Sequence, residues 1–263
     1  MRRLNNLSES SDYLTFRSSV PLRNICVDNS DGKSWKVYDA GPKSVRCPLI
    51  FVPPACGTAE VYFRQILHLS ACGYRVIAVE APRSYWNVND WCIGFQLLLD
   101  HLRLDKVHLF GASLGKFWML PAIFLKRLIM PSLVTKSYDP DIIEAVDFVA
   151  EKVVLPFQVN TINRLELASR LTLNCASSRV HPERIRGLQF VTIMDVFDEY
   201  ALCSPVREEI YDAFPNGKLA QMKTGGNFVY LSKYEEVNVH IKIHLRKFES
   251  GSYSAILVPY DTS

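Results

Sequence analysis

Short apolar runs open the chain and then alternate with segments of helical period. The runs at 24–28, 35–40, 48–53, 74–80 and 106–110 are rich in β-branched and other apolar residues, and after the third of them helical stretches intervene. Such alternation predicts a parallel sheet covered by helices. Leu49, Ile50, Phe51 and Val52 are uninterrupted, as are residues 76–79, and unbroken runs suit central strands buried on both faces. The first two runs are more mixed and suit an edge hairpin. Phe63, Ile66, Leu67 and Leu69 form a partial helical stripe closed by Gly73 as a C-cap. Phe95, Leu98, Leu99 and Leu102 form another after Asp90. Both stripes read as the sheet-facing sides of core helices.

Further along, helical patterns at 139–153 and 162–173 precede strand patterns at 190–194 and 218–223. The last segment fits two periods. Val237, Val239, Ile241, Ile243 and Leu245 alternate like a strand, whereas Val237, Ile241, Leu245 and Phe248 also fit a helix. The fold argued below ends in a helix and favours the second. The longest apolar run, 117–125, has nine residues and is interrupted by Pro121, against the ~20 needed to cross a bilayer. Residues 117–130 are expected to form one or two mostly buried helices broken at that proline.

Composition narrows the function classes. With 263 residues, 48% hydrophobic and 22% charged, the chain can bury the core of one domain, or of a domain with a small insertion. A formal net charge of +3, dispersed along the sequence, gives no electrostatic footprint for nucleic acid. Arg2 and Arg3 open a polar stretch with no secretory apolar segment, so residues 1–11 read as a disordered tail. Residues 12–257 are taken as the domain, 116–187 as its helical cap or insert, and 258–263 as a second tail. Seven cysteines form an odd set without a C-x-x-C pair, which fits reduced thiols and a cytoplasmic location. His240 and His244 lie one helical turn apart, but no third ligand accompanies them. Neither a metal nor a cofactor is expected.

Candidate chemistry enters at the fifth run. It leads straight into Gly111-Ala112-Ser113-Leu114-Gly115, the G-x-S-x-G turn in its strand-to-helix context. Small neighbours are needed there, because the turn holds serine in a strained conformation with its hydroxyl projecting from the sheet edge. A working nucleophile would need an acid and then a histidine, in the chain order Ser, Asp/Glu, His. Asp198 lies where the strand-end acid belongs, with Asp195 as a second candidate. After the last strand comes Thr224-Gly225-Gly226-Asn227-Phe228, where a hydrolase would commonly carry Gly-His-Phe. Asparagine can hydrogen-bond to a serine hydroxyl, but its amide cannot take up the proton. The six histidines, at positions 68, 101, 108, 181, 240 and 244, all lie elsewhere in the sequence. The oxyanion donors would be the Leu114 N–H and one from the loop Pro53-Pro54-Ala55-Cys56-Gly57, with Ala55 the first candidate. Two prolines remove two donors from that loop. The exit of the fourth strand, Glu80-Ala81-Pro82-Arg83-Ser84, resembles an Asp-x-Pro-Gly turn without its glycine.

Together these features resemble the maspardin family of α/β-hydrolase-fold proteins, from about residue 12 to about residue 256. Tyr38-Asp39-Ala40-Gly41-Pro42, Phe63-Arg64-Gln65-Ile66-Leu67 and the segments 104–115, 166–175, 191–198 and 223–228 carry the resemblance. It implies an α/β-hydrolase-like, mostly parallel sheet with flanking helices and a reduced cap. It also implies a vestigial site, Ser113, Asp198 and Asn227, in a pseudoenzyme that acts as an adaptor. The implied partner is the cytoplasmic tail of a T-cell co-receptor, with peripheral endosomal or trans-Golgi association. A weak serine esterase using Ser113, with Asp198 as orienter, is the alternative. The pattern breaks after Gly115, where a block of about 20 or more residues, enough for the elbow helix and one strand, is missing. Two outcomes are open. Either the strand after Gln189 slides over to pair with the fifth strand, or it keeps its family position and leaves a slot beside it.

Overall fold

The computed structural model describes residues 6–27, 34–53, 58–82, 85, 87–112, 139–158, 190–198 and 204–257. Strands β1 (Arg23–Cys26), β2 (Ser34–Ala40), β3 (Leu49–Val52), β4 (Val76–Glu80) and β5 (His108–Gly111) form one sheet in the order β1-β2-β4-β3-β5. β1 pairs antiparallel with β2, and β2 antiparallel with β4, which is the edge hairpin expected from the mixed runs. β3 lies parallel to both β4 and β5, with Ile50 opposite Ile77 and Leu109. β6 (Thr192–Val196) and β7 (Lys218–Met222) form a separate parallel pair.

Alternation along β4 divides the core into two layers. Val76 and Ala78 face helices α1 (Ser11–Ser19) and α2 (Phe63–Ala71), whereas Ile77 and Val79 face α3 (Val88–His101), as a period of two requires. All five residues of β4 are buried. The turn out of β2 needs glycine. Gly41 has φ +88°, and a Cβ there would stand 2.1 Å from the Tyr74 carbonyl oxygen. Behind it the Arg75 guanidinium donates to both oxygens of the buried Asp39 carboxylate, at 3.3 and 3.1 Å, and to the Val45 carbonyl at 2.7 Å.

The start of the chain is ordered further than its polarity predicts. Residues Leu7–Glu9 form a 3-10 turn with Leu7 buried, whereas residues 1–5 of the segment expected to be a tail lie outside the described residues. The Ser10 hydroxyl caps α1 by accepting from the Tyr13 N–H at 3.2 Å. The Tyr13 and Tyr38 hydroxyls then both donate to Glu60. Burial and that carboxylate push both phenols well above their ordinary values. Helix α4 (Pro140–Gln158) falls within the segment expected to be a cap, yet Phe148 packs edge-on against Tyr13 and at 5.4 Å from Phe63 in the main core. Residues 159–189, including the helix expected at 162–173, lie outside the described residues, as do 113–138 and 258–263.

After β6 comes α5 (Ser204–Ala213), which the sequence pattern did not announce. After β7 come a 3-10 turn (Gly226–Phe228), α6 (Val229–Ser232) and α7 (Tyr234–Arg246). The ambiguous last segment is therefore a helix. Val237, Ile241 and Leu245 are buried, while Val239 and Ile243 are each 49% exposed.

Candidate functional site

The carboxyl ends of β5, β6 and β7 each lead into one of the motifs read from the sequence. β5 ends at Gly111, and Ala112 follows it. Ser113, Leu114 and Ala55 lie outside the described residues. Beneath this strand end sit two fully buried tyrosines, Tyr62 and Tyr230, with ring centroids 4.9 Å apart. The Tyr62 hydroxyl donates to the Val52 carbonyl at 3.0 Å. Burial, reinforced by Tyr230, pushes the Tyr62 phenol well up, and the Ala112 backbone opposes that shift.

Asp198 follows β6 by two residues. Its Oδ2 accepts from the Gly225 N–H at 2.9 Å and the Gly226 N–H at 3.0 Å. Those glycines immediately precede Asn227, so the structure brings Asp198 and Asn227 to one turn. The geometry of that turn excludes side chains. Gly225 has φ +151° and Gly226 φ +61°, and added Cβ atoms would meet Val229 Cγ2 at 2.6 Å and Ile142 Cγ2 at 3.0 Å. The Ser232 hydroxyl braces the turn by donating to the Gly225 carbonyl at 2.7 Å. Asp198 Oδ1 is buried and has no hydrogen-bond partner among the described residues.

Asp195, the second acid candidate, is held elsewhere. Its Oδ2 accepts from Arg207 Nε at 3.1 Å, from Arg207 Nη2 and from the Tyr211 hydroxyl. Arg207 and Tyr211 sit four residues apart on α5, so one helix face clamps this carboxylate. Five of the six histidines are described, and among the described residues none hydrogen-bonds to Asp198. His108 opens β5, at the end of the strand opposite the elbow, with Nε2 2.8 Å from the Tyr253 carbonyl. His244 Nδ1 lies 2.9 Å from Thr192 Oγ1, at the start of β6. His68 lies 3.8 Å from the Cys72 sulfur at the end of α2, His101 closes α3, and His240 lies within α7.

The chain is 45% identical over 286 aligned positions to the maspardin of Danio rerio, covering 94% of this chain and 89% of that one. The chain belongs to the maspardin family. The human maspardin is 44% identical over 292 positions, covering 96% of this chain and 92% of the relative. No family model matches. Among solved structures, the enol-lactonase of Burkholderia xenovorans superposes with a TM-score of 0.62 at 12% identity, over 85% of this chain and 100% of that one. The epoxide hydrolase VrEH1 of Vigna radiata gives 0.58 at 14% identity, over 88% and 99%. At such identities these neighbours establish the α/β-hydrolase fold and nothing about substrate. The alignments also carry a length difference. Because 94% of 263 residues is about 247, about 39 of the 286 positions matched to the Danio rerio maspardin face no residue of this chain.

Proposed function

We propose that this chain is a non-catalytic α/β-hydrolase-fold protein that works by binding other proteins, as an adaptor or regulator. The observation that carries the reading is the turn at Asn227. Acid-oriented serine hydrolysis needs an imidazole between the carboxylate and the nucleophile. Here one oxygen of the Asp198 carboxylate accepts from the two glycine amides that shape the turn, and the residue presented next is an asparagine, whose amide does not titrate. Ser113, Asp198 and Asn227 are thus a vestigial site, with Leu114 and Ala55 its former oxyanion donors.

Family resemblance supplies the finer part of the reading. A receptor's cytoplasmic tail is the proposed partner class, with peripheral endosomal or trans-Golgi association from the cytoplasmic side. No helix among the described residues is long and apolar enough to cross a membrane, which fits attachment through partners. Ester hydrolysis by the chain, compared with its Ser113→Ala variant, tests the non-catalytic part: equal background rates are expected. Turnover that depends on Ser113 would instead favour a weak esterase, the reading that the hydrolase fold and the elbow motif support.

A further inference from the structure

We infer that the surface at the end of β5 opposite the elbow is a docking site for an acidic peptide, with Phe190, Phe248 and Tyr253 taking its apolar side chains and Lys106, Lys218 and Lys247 its carboxylates. The three rings form one row. Phe190 meets Phe248 edge-on at 5.1 Å, and Phe248 meets Tyr253 at 6.5 Å. Phe190 is 55% exposed and Tyr253 48% exposed, with the half-buried Phe248 between them. Scattered exposed apolar residues are ordinary, but a contiguous group rimmed by polar residues marks an interaction surface.

Positive charge accompanies the whole row. The exposed Lys106 lies over the Tyr253 ring at 4.2 Å. The exposed Lys218 opens β7, where its N–H donates to the Val191 carbonyl at 2.8 Å, one residue from Phe190. Lys247, also exposed, directly precedes Phe248. Partial burial and then the Lys218 charge lower the Lys247 pKa, so the two ammonium groups repel each other. The C-terminal end of α7 accounts for a cation at Lys247, but Lys106 and Lys218 stand at strand starts and owe nothing to that helix. Of the acids adjacent in sequence, Asp105 is exposed and Glu249 accepts from the Tyr74 hydroxyl at 2.6 Å, so the lysines outnumber them.

These features select the occupant. Lysines around an apolar centre complement a ligand that is acidic and apolar together, and like charges gathered on one surface steer such a partner in. The ring contacts of 5.1 and 6.5 Å in series run no longer than about four residues of extended chain at ~3.3 Å each, so a short apolar stretch between acidic residues matches the row. A bilayer matches it less well. About half of the Phe190 and Tyr253 surface is covered by protein, whereas a membrane-surface anchor buries its apolar face ~5–10 Å into the lipid boundary. The inference rests on the protein-binding reading for its kind of partner, but its failure would leave the non-catalytic reading standing, because Ser113 follows the other end of β5.

The test titrates the intact chain with a fluorescent synthetic peptide, a Phe-Leu-Phe run between two Glu-Glu pairs, and with the same peptide carrying glutamine for every glutamate. Saturable binding of the first, read by anisotropy and weakened as salt rises, is expected, with the second at least about tenfold weaker. Joint Lys218→Glu and Lys247→Glu substitution should lower affinity for the acidic peptide about tenfold or more, and Phe190→Ala by a similar factor. Melting temperatures should change little, because all three side chains are exposed. Absence of saturable binding, equal affinity for the two peptides, or full affinity in the charge-reversed chain would overturn the inference. Vesicles containing phosphatidylserine that bind the chain through these lysines, while the peptide does not, would also overturn it by assigning the surface to a membrane.

Discussion

The β3–β4 pair and the β6–β7 pair have the same parallel geometry but differ in how they are held. β4 is covered on both faces and flanked by β2 and β3, so every residue in it is buried. β6 has one ladder partner among the described residues, and Thr192, Ile193 and Met194 are only half-buried. The central strands are fixed by continuous hydrogen bonding and two hydrophobic layers. The second pair is attached through helices, by α7 at one end and α5 at the other. Burial makes the first region the stable scaffold, while the β6–β7 pair, whose strand ends lead to Asp198 and Asn227, is the less buried of the two.

The largest expected effect is on the buried ion pairs. Asp39→Ala would strand the Arg75 guanidinium, whose side chain is 6% exposed, and should cost about 3–5 kcal/mol in denaturant unfolding. Asp195→Ala removes an acceptor from Arg207, whose side chain is 24% exposed and can rehydrate, so a loss under half as large is expected. Equal losses would break the contrast between the two regions. Truncations of the strands themselves come next. Ile77→Ala in β4 should cost about 2–5 kcal/mol. Ile193→Ala in β6 should cost about 1 kcal/mol, because a half-buried side chain returns less area to water. Chemical denaturation of both variants checks the ordering.

A pH dependence is expected where α7 meets the start of β6. Burial, aided by His108 and Lys247, lowers the His244 pKa from 6.5 to about 4. A histidine depressed in the folded state binds fewer protons there than in the unfolded chain, so stability is lost as pH falls from about 6.5 toward 4 and levels off below. His108 is also lowered by burial and adds in the same direction. Melting temperatures of the wild type and His244→Gln between pH 7 and 5 should show a shallower decline in the variant. Parallel declines would remove His244 from the account.

How much of this was legible beforehand follows the same division. The unbroken runs at 48–53 and 76–79 identified β3 and β4 because burial on both faces leaves no polar position. Asp198 was legible as a strand-end acid, and Thr224-Gly225-Gly226-Asn227-Phe228 as the turn after the last strand, whereas the need for glycine at 225 and 226 emerges only from their positive φ and close neighbours. The separation of Asp198 from Asp195 was not, since it depends on Arg207 and Tyr211, carried by a short helix in which only Val206, Ile210 and Ala213 recur at helical spacing. Leu7 escaped notice for a related reason: one apolar residue in a polar stretch has no period, and its burial depends on tertiary contacts. Val237, Ile241 and Leu245 fitted strand and helix alike until packing selected the helical face.

Labelling of Ser113 by a fluorophosphonate probe, read by intact mass on the wild type, Ser113→Ala and Asn227→His, tests the central claim most directly. The account predicts that the wild type and Ser113→Ala are equally unlabelled, with any adduct confined to Asn227→His, where an imidazole replaces the amide at the turn held by Asp198. Stoichiometric labelling of the wild type that Ser113→Ala abolishes would show a functional nucleophile and contradict the reading of this site as vestigial.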